Sequence, residues 1–116
     1  MKDPQVYLRF LNLLHTLEGA GQMPDIDADS RKLLELIALK HNQQQPLTIS
    51  EAMALSHIAS PATIHRKLDL LRDVGMVETV HVGQNRRTKY LVPTPKAFDH
   101  FAGLGKVMQQ ALGLST

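Results

Sequence analysis

The sequence predicts a mainly α-helical fold that carries one small β-hairpin, an α+β arrangement. Three observations lead to this. Apolar residues recur at helical spacing along most of the chain. Two of these helical stretches are separated only by the short turn SHIAS. Near the end, two short β-branched segments flank the basic loop GQNRRTK, which is typical of a hairpin.

Composition sets the limits within which this fold must form. A chain of 116 residues is long enough for one core and too short for two, so we expect a single domain over residues 1–116. Aromatic residues make up only 4% of the chain, and the core must therefore be aliphatic. The absence of cysteine excludes disulfides and thiol chemistry. No apolar run approaches the ~20 residues of a membrane span, and the N-terminus lacks the order of a secretory signal. These features predict a cytoplasmic protein.

The first helix is predicted over residues 4–18, with Pro4 at its first position and Gly19 as its stop. Its apolar residues cover more than one face, which indicates more than one neighbour. A second helix is predicted over roughly 29–41, capped by Asp29 or Ser30. The alternation of Asp25, Asp27 and Asp29 resembles a calcium loop, but Ser30 and Leu36 stand where that loop needs glycine and glutamate. Acidic capping of the helix is the preferred interpretation.

Two further helices follow. Residues 47–49 are compatible with a very short strand, and the helix after it has either the Thr48–Glu51 capping box or Ser50 as its cap. After the turn, a helix is predicted over 61–74, with Ser60 as cap, Pro61 at the first position and Gly75 as the stop. Because the turn has no glycine, Ser56 or His57 is expected to make the bend.

The rest of the chain is predicted to be a hairpin and a last helix. The strands are residues 76–82 and 90–93, and the helix begins after Thr94 as its cap, with Gly103 and Gly105 expected to weaken or kink it. This order of elements is that of a winged helix-turn-helix domain. Its parts are an N-terminal helix over 4–18, the winged helix-turn-helix over 29–93, and a C-terminal helix over 94–114.

In this layout the helix at 61–74 enters the major groove of DNA. Its inner face is Ile64, Leu68 and Leu71, and the opposite face carries Arg66. The candidate DNA-binding residues are Ser60, Ala62, Thr63, His65, Arg66, Lys67, Arg86, Arg87 and Lys89. Small side chains at the start of the helix permit close approach to bases, arginine donates bidentately to guanine, and the arginines of the wing suit the minor groove or a phosphate.

The distribution of charge agrees with this assignment. The net charge is only +2, but residues 1–47 carry a net charge of −1 and residues 57–92 a net charge of +3. The positive charge is concentrated on the last helix-turn-helix element and on the wing, where a local field attracts an anionic partner.

Residues 47–92 resemble the DNA-binding lobe of MarR-like winged helix-turn-helix transcriptional regulators. The matching stretches are LTISEAMAL, SPATIHRKLDLLRDVGMVE and the RR of the wing. The resemblance implies double-stranded DNA as partner and a homodimer built from the N- and C-terminal helices. The family's domain is usually longer and encloses an effector pocket, so the short chain argues against a small-molecule effector. No membrane partner is expected.

Other interpretations remain open at this stage. The basic residues of the helix and of the wing are also compatible with a purely structural role as solvated surface residues. The terminal helices are also compatible with closing the core of a monomer. We expect no enzyme activity, cofactor or metal, because no phosphate-binding loop, nucleophile elbow or i,i+4 histidine pair is present. The rival functions are a winged helix that binds other proteins, and a plasmid or phage protein that binds a replication origin.

Overall fold

The computed structural model describes residues 3–21, 24–84 and 86–113. In this part of the chain there are five helices and one antiparallel two-stranded sheet, which confirms the predicted fold class. The helices are α1 (Gln5–Gly19), α2 (Ala28–Asn42), α3 (Ile49–Met53), α4 (Pro61–Asp73) and α5 (Pro95–Ala111), and the strands are β1 (Val77–Val80) and β2 (Tyr90–Pro93). None of the helices so described is long and apolar enough to cross a bilayer.

The chain divides into two compact units. The first comprises residues 1–25 and 98–116, and the second residues 26–97. The second unit contains α2, α3, α4 and the hairpin, and the first contains α1 and most of α5.

The second unit is built around an aliphatic core, as the low aromatic content predicts. The side chains that are at most 1% exposed include Leu33, Leu34, Ile37, Ala52, Ile64, Leu68, Leu71, Leu91 and Ala97. The three core residues of α4 lie at positions i, i+4 and i+7, so that helix turns one stripe inward and keeps the opposite face outward.

In the first unit, α1 begins one residue later than predicted. Pro4 is the N-cap residue instead of the first helical residue, and Gly19 is still helical. The chain leaves the helix at Gly21, whose φ of 71° is the left-handed conformation that glycine adopts at low cost. The assignment of Gly19 as the stop was therefore wrong by two residues.

The cap of α2 also differs from the expectation. Asp27, rather than Asp29 or Ser30, occupies the N-cap position and accepts a hydrogen bond from the Ser30 backbone N–H. Asp29 lies in the first turn, where a negative charge suits the helix dipole. The preference for acidic capping is confirmed, with the capping residue moved by two positions.

The helix-turn-helix follows the local signals closely. The Thr48–Glu51 capping box is present: the Glu51 N–H donates to the Thr48 hydroxyl at 3.1 Å, and the Thr48 N–H donates to the Glu51 carboxylate at 2.9 Å. The hydrogen bond from the Thr48 N–H lowers the pKa of the Glu51 carboxyl. The turn to α4 is closed by the Ile58 N–H, which donates to the Leu55 carbonyl at 2.9 Å. Within residues 56–60 every φ is negative, which explains how this bend forms without glycine.

The hairpin pairs β1 and β2 with Val77 opposite Pro93 and Val80 opposite Tyr90. β2 has the predicted bounds, whereas β1 covers only four of the seven residues expected to be extended. The short strand expected at 47–49 is reduced to a single bridge between Thr48 and Tyr90, supported by the Leu91 N–H donating to the Leu47 carbonyl at 2.8 Å. This bridge joins the start of α3 to the base of the wing.

Thr94 caps α5 as predicted, its hydroxyl accepting from the Ala97 backbone N–H at 3.2 Å. The helix continues through Gly103 and Gly105 without interruption. A single glycine costs only about 1 kcal/mol in a helix interior, so packing of the other residues is enough to keep these two helical.

Candidate nucleic-acid interface

The first part of the candidate interface is the outer face of α4. Ile64, Leu68 and Leu71 are buried, while Ala62 and Arg66 on the opposite side are exposed. Ser60 caps the helix through its hydroxyl, which accepts from the Thr63 N–H at 3.3 Å, and Pro61 occupies the first position. The helix thus ends in solvent on its N-terminal side, with its apolar stripe covered and its polar face open.

The C-terminal end of α4 is held firmly. Gly75 has a φ of 77°, and the Met76 N–H donates to the Leu71 carbonyl at 2.9 Å, which is the Schellman arrangement. Thr94 donates its hydroxyl hydrogen to the Gly75 carbonyl, and Lys96 Nζ donates to the Val74 carbonyl at 2.8 Å. A cation at the C-terminus of a helix is favoured by the helix dipole. These contacts hold the end of α4 against the β2–α5 junction.

The negative charge of Asp69 on the outer face of α4 is paired within the helix. Asp69 accepts from Arg72 Nη1 at 3.0 Å and lies 3.4 Å from His65 Nδ1. These contacts are solvent-exposed and each contributes little to stability. Their effect is to offset the charge of Asp69 on the surface that carries Arg66.

Lys67 lies on the flank of α4 and is turned towards α2. Its Nζ is 2.9 Å from Asp27 Oδ2, and its side chain is 26% exposed. Sequence reasoning placed Lys67 among the DNA-binding candidates because charge and helical position were its only guides. The structure gives this ammonium group a carboxylate partner in the same compact unit, and the ion pair joins α4 to the start of α2.

The second part of the candidate interface is the wing between β1 and β2. The ring Nδ1 of His81 donates to the Thr88 carbonyl at 3.1 Å and closes the base of the loop. Gly83 has a φ of 68°, which allows the chain to turn. Arg86, Arg87 and Lys89 are all exposed there. The sequence has no acidic residue between Glu78 and Asp99, so positive charge dominates the surface of this loop.

A groove of about 390 Å³ lies between the start of α3 and the returning arm of the wing. Its lining residues are Thr48, Ile49, Ser50, Arg87, Thr88 and Lys89. The groove brings the predicted cations Arg87 and Lys89 beside hydroxyl groups of Ser50 and Thr88, which the sequence analysis did not select. No local sequence signal marks Ser50, because the start of α3 and the wing are distant in the chain and meet through tertiary contacts such as the Thr48–Tyr90 bridge.

Asp27 carries the strongest electrostatic perturbation at the start of α2. Hydrogen bonds from the Ser30 hydroxyl at 2.6 Å and from Lys67 at 2.9 Å hold the pKa of its carboxyl far below its ordinary value. Ser30 itself is fully buried, and Asp27 is its hydrogen-bond partner. The carboxylate is therefore an ionised group that holds the start of α2 and the flank of α4 together.

We expect Asp27→Ala to lower the free energy of unfolding by about 1–2 kcal/mol at neutral pH, since the variant has neither the helix cap nor the ion pair. The contribution of a carboxylate whose pKa is depressed on folding is complete above its unfolded-state pKa and declines as the pH falls towards the folded-state value. The difference between wild type and variant should therefore narrow below about pH 4. Urea unfolding between pH 7 and pH 2.5 measures it. Asp25→Ala, in the same loop, is the matched control, and an equal destabilisation of both variants would contradict the assignment.

Comparison with known proteins gives the class of fold. By sequence the chain matches neither a protein-family model nor a curated protein. Three of the solved structures that it resembles are a transcriptional regulator from Thermotoga maritima, MarR, and the MepR–DNA complex of S. aureus. The Thermotoga protein has a TM-score of 0.62 and a sequence identity of 16%. MarR has a TM-score of 0.54 and MepR one of 0.57, and both are 20% identical to this chain.

The extent of these matches differs. The alignment with the Thermotoga protein covers 93% of this chain and 68% of that protein. The alignment with MarR covers 76% of this chain and 61% of MarR, and the alignment with MepR covers 92% of this chain and 89% of MepR. The chain thus spans about three fifths of the length of MarR. At these identities the likeness establishes the winged-helix fold of MarR-type transcriptional regulators, and what the chain does is argued below from its own site.

Proposed function

We propose that this protein is a homodimeric, sequence-specific binder of double-stranded DNA that regulates transcription in the cytoplasm. The single observation that carries the proposal is the pair of basic elements in the second compact unit. They are an exposed helix face with Arg66 and a wing with Arg86, Arg87 and Lys89, in a stretch without acidic residues after Glu78. Duplex DNA has paired phosphate backbones and a groove that accepts a helix, so it suits both elements.

In this proposal α4 enters the major groove with its N-terminal end towards the bases. Ser60, Ala62, Thr63 and Arg66 then approach base edges, and His65 approaches a phosphate. The wing arginines and Lys89 contact the backbone or the minor groove. Lys67 contributes indirectly, because its ion pair with Asp27 fixes the orientation of α4 on α2.

The first compact unit supports the dimer. Over its described residues 3–21, α1 has no fully buried side chain, although it carries eight large apolar ones. A groove of about 440 Å³, lined by Asp3, Val6, Tyr7, Phe10, Met108, Ala111 and Leu112, is almost entirely apolar. An exposed apolar groove of this kind suits a protein–protein contact, and a second copy of the same helices would cover it with a two-fold symmetric interface.

Among the similar structures, MepR has been solved in complex with DNA, and the alignment includes 92% of this chain. The same fold in a DNA complex supports assigning the exposed helix and the wing to DNA. A two-fold dimer would then place the two copies of α4 about 34 Å apart, one turn of the duplex.

A salt titration with duplex DNA tests the proposal. We expect binding to a random duplex with a dissociation constant of about 10⁻⁴–10⁻⁶ M at physiological salt, strengthening steeply as salt is lowered, because cations released from the phosphates drive association. Selection from a random pool should then yield a palindromic site with tighter binding. The absence of any salt-dependent binding would overturn the proposal and favour a protein-binding winged helix, for which the small net charge of +2 is the supporting observation. A palindromic site would not distinguish a transcriptional regulator from a protein that binds a replication origin. Mapping the bound sites in the genome would distinguish these two functions.

A further inference from the structure

We propose that Thr63 is a positioning residue that orients Arg66 for sequence readout. This inference rests on the proposed function. It deepens that function by assigning base discrimination to one held arginine and by naming guanine as the base that it recognises.

The geometry consists of a short hydrogen-bonded chain at the start of α4. The Ser60 hydroxyl accepts from the Thr63 backbone N–H at 3.3 Å and donates to Thr63 Oγ1, which is 3.0 Å away. Thr63 Oγ1 also accepts from Arg66 Nη2 at 3.1 Å. The threonine oxygen thus receives two hydrogen bonds, one from the helix cap and one from the guanidinium group. The hydroxyl of Thr63, which is half-buried, therefore connects the helix cap Ser60 to Arg66.

The consequence for Arg66 is a restricted orientation. A guanidinium group has five N–H donors, and the contact with Thr63 uses one of them. The remaining donors still include a parallel pair, which is what a bidentate contact with guanine O6 and N7 requires. An exposed arginine that is not held samples many rotamers and gives up that entropy on binding. Holding the side chain before DNA arrives reduces this cost and favours the guanine geometry over a contact with the phosphate backbone.

The charges around Arg66 agree with this role. Asp69 is the acidic residue nearest to Arg66 in the sequence, and it lies one turn further along α4 on the same face. Its carboxylate is 3.0 Å from Arg72 Nη1 and 3.4 Å from His65 Nδ1. The hydrogen bond of the Arg66 guanidinium at 3.1 Å is directed back towards the N-terminus of the helix, to Thr63. The N-terminal end of a recognition helix is the end that contacts base edges.

The test compares Thr63→Val with Thr63→Ser. Valine keeps the branched shape and the backbone N–H that donates to Ser60, and it replaces the hydroxyl by a methyl group. Serine keeps the hydroxyl. For a selected site and its derivatives with each guanine replaced, we expect Thr63→Val to reduce discrimination at one guanine by about tenfold. Binding to random duplex and its salt dependence should stay within about twofold, because phosphate contacts are unchanged. Thr63→Ser should retain the wild-type discrimination.

Arg66→Ala identifies the guanine concerned and completes the cycle. On its own it should relax preference at that same guanine by about 5- to 150-fold, as expected when a bidentate hydrogen-bond pair is removed. In the Arg66→Ala background, Thr63→Val should have no further effect on discrimination, since the residue that it positions is gone. Thermal unfolding of each variant checks that α4 is intact.

The outcomes separate the inference from the function on which it rests. If no variant or wild-type protein binds duplex in a salt-dependent manner, the proposed function fails. If the wild type binds selectively and Arg66→Ala relaxes one guanine while Thr63→Val does not, the positioning role is wrong. The inference is equally overturned if Arg66→Ala leaves every base preference unchanged, or if Thr63→Val weakens random and selected duplexes alike.

Discussion

Replacing Tyr7 and Met108 together by aspartate is expected to separate the proposed homodimer into folded monomers. Both side chains line the apolar groove of the first compact unit, and they are 63% and 56% exposed in the single chain. Because they are exposed there, a charge at these positions costs a monomer little. A dimer of the variant would contain four such carboxylates, two from each protomer. They would be buried in the interface without partners, which costs several kcal/mol per ion.

Separation of the dimer should also weaken binding to a two-half-site operator by about 10²–10⁴-fold, because linked half-sites bind with the advantage of effective concentration. Binding to a single half-site should change little. Analytical ultracentrifugation gives the oligomeric state, and a duplex titration gives the affinity.

Leu39→Asp is the matched control for this experiment. Leu39 is 55% exposed on α2, in the second compact unit, and the substitution introduces an aspartate at a similarly exposed apolar residue. We expect it to leave the dimer intact. A double variant of Tyr7 and Met108 that sediments as the wild type does, with unchanged operator affinity, would show that this groove is not the dimer interface.

Removing the two wing arginines, Arg86→Ala with Arg87→Ala, should weaken binding to every duplex by about 2–4 kcal/mol, because each charge-assisted hydrogen bond to a phosphate is worth roughly 1–2 kcal/mol at an exposed site. The slope of log affinity against log salt should decrease by about 2, one unit for each phosphate that the variant no longer neutralises. Base preference should be retained, because it resides on α4 in this proposal. Fluorescence anisotropy with random and selected duplexes at several salt concentrations measures all three quantities.

A control variant removes the same charge from another exposed surface. Arg31 and Lys32 are adjacent and exposed on α2, and replacing both by alanine lowers the net charge by the same amount. If this pair weakens DNA binding as much as the wing pair does, the effect comes from the total charge of the protein. The wing would then have no special part in binding.

Much of the fold was predictable because its signals are local. α4 was expected over 61–74 and is observed at Pro61–Asp73, since a serine cap, a proline at the first position and a glycine with positive φ all act within one turn of the helix. The capping box of α3 and the bounds of β2 follow from equally short patterns.

The errors arose where several residues offered the same local chemistry. Asp27, Asp29 and Ser30 can each cap a helix, and the sequence does not rank them. Asp27 takes the position, and there it also binds Lys67, which lies 40 positions further along the chain. Pairing across that separation cannot be seen in a helical pattern.

For the candidate site, too, some features were predictable from the sequence and others came only from the structure. The outward position of Arg66 follows from the 100° rotation per residue of a helix, and the cations of the wing follow from a loop without acidic residues. That Arg66 is held by Thr63, which depends on side-chain rotamers, came only from the structure. The groove between Ser50 and Lys89 likewise depends on how the hairpin packs on α3.

By itself, then, the sequence determined where helices begin and end, which face of α4 is apolar, and where positive charge accumulates, because each of these depends on residues within a few positions of one another. The tertiary structure alone decided how particular side chains are used: it paired Lys67 with Asp27, and left every side chain of α1 at least partly exposed. The physical reason is that an ion pair or a buried face needs two segments brought together in space, and their separation along the chain carries no local signature.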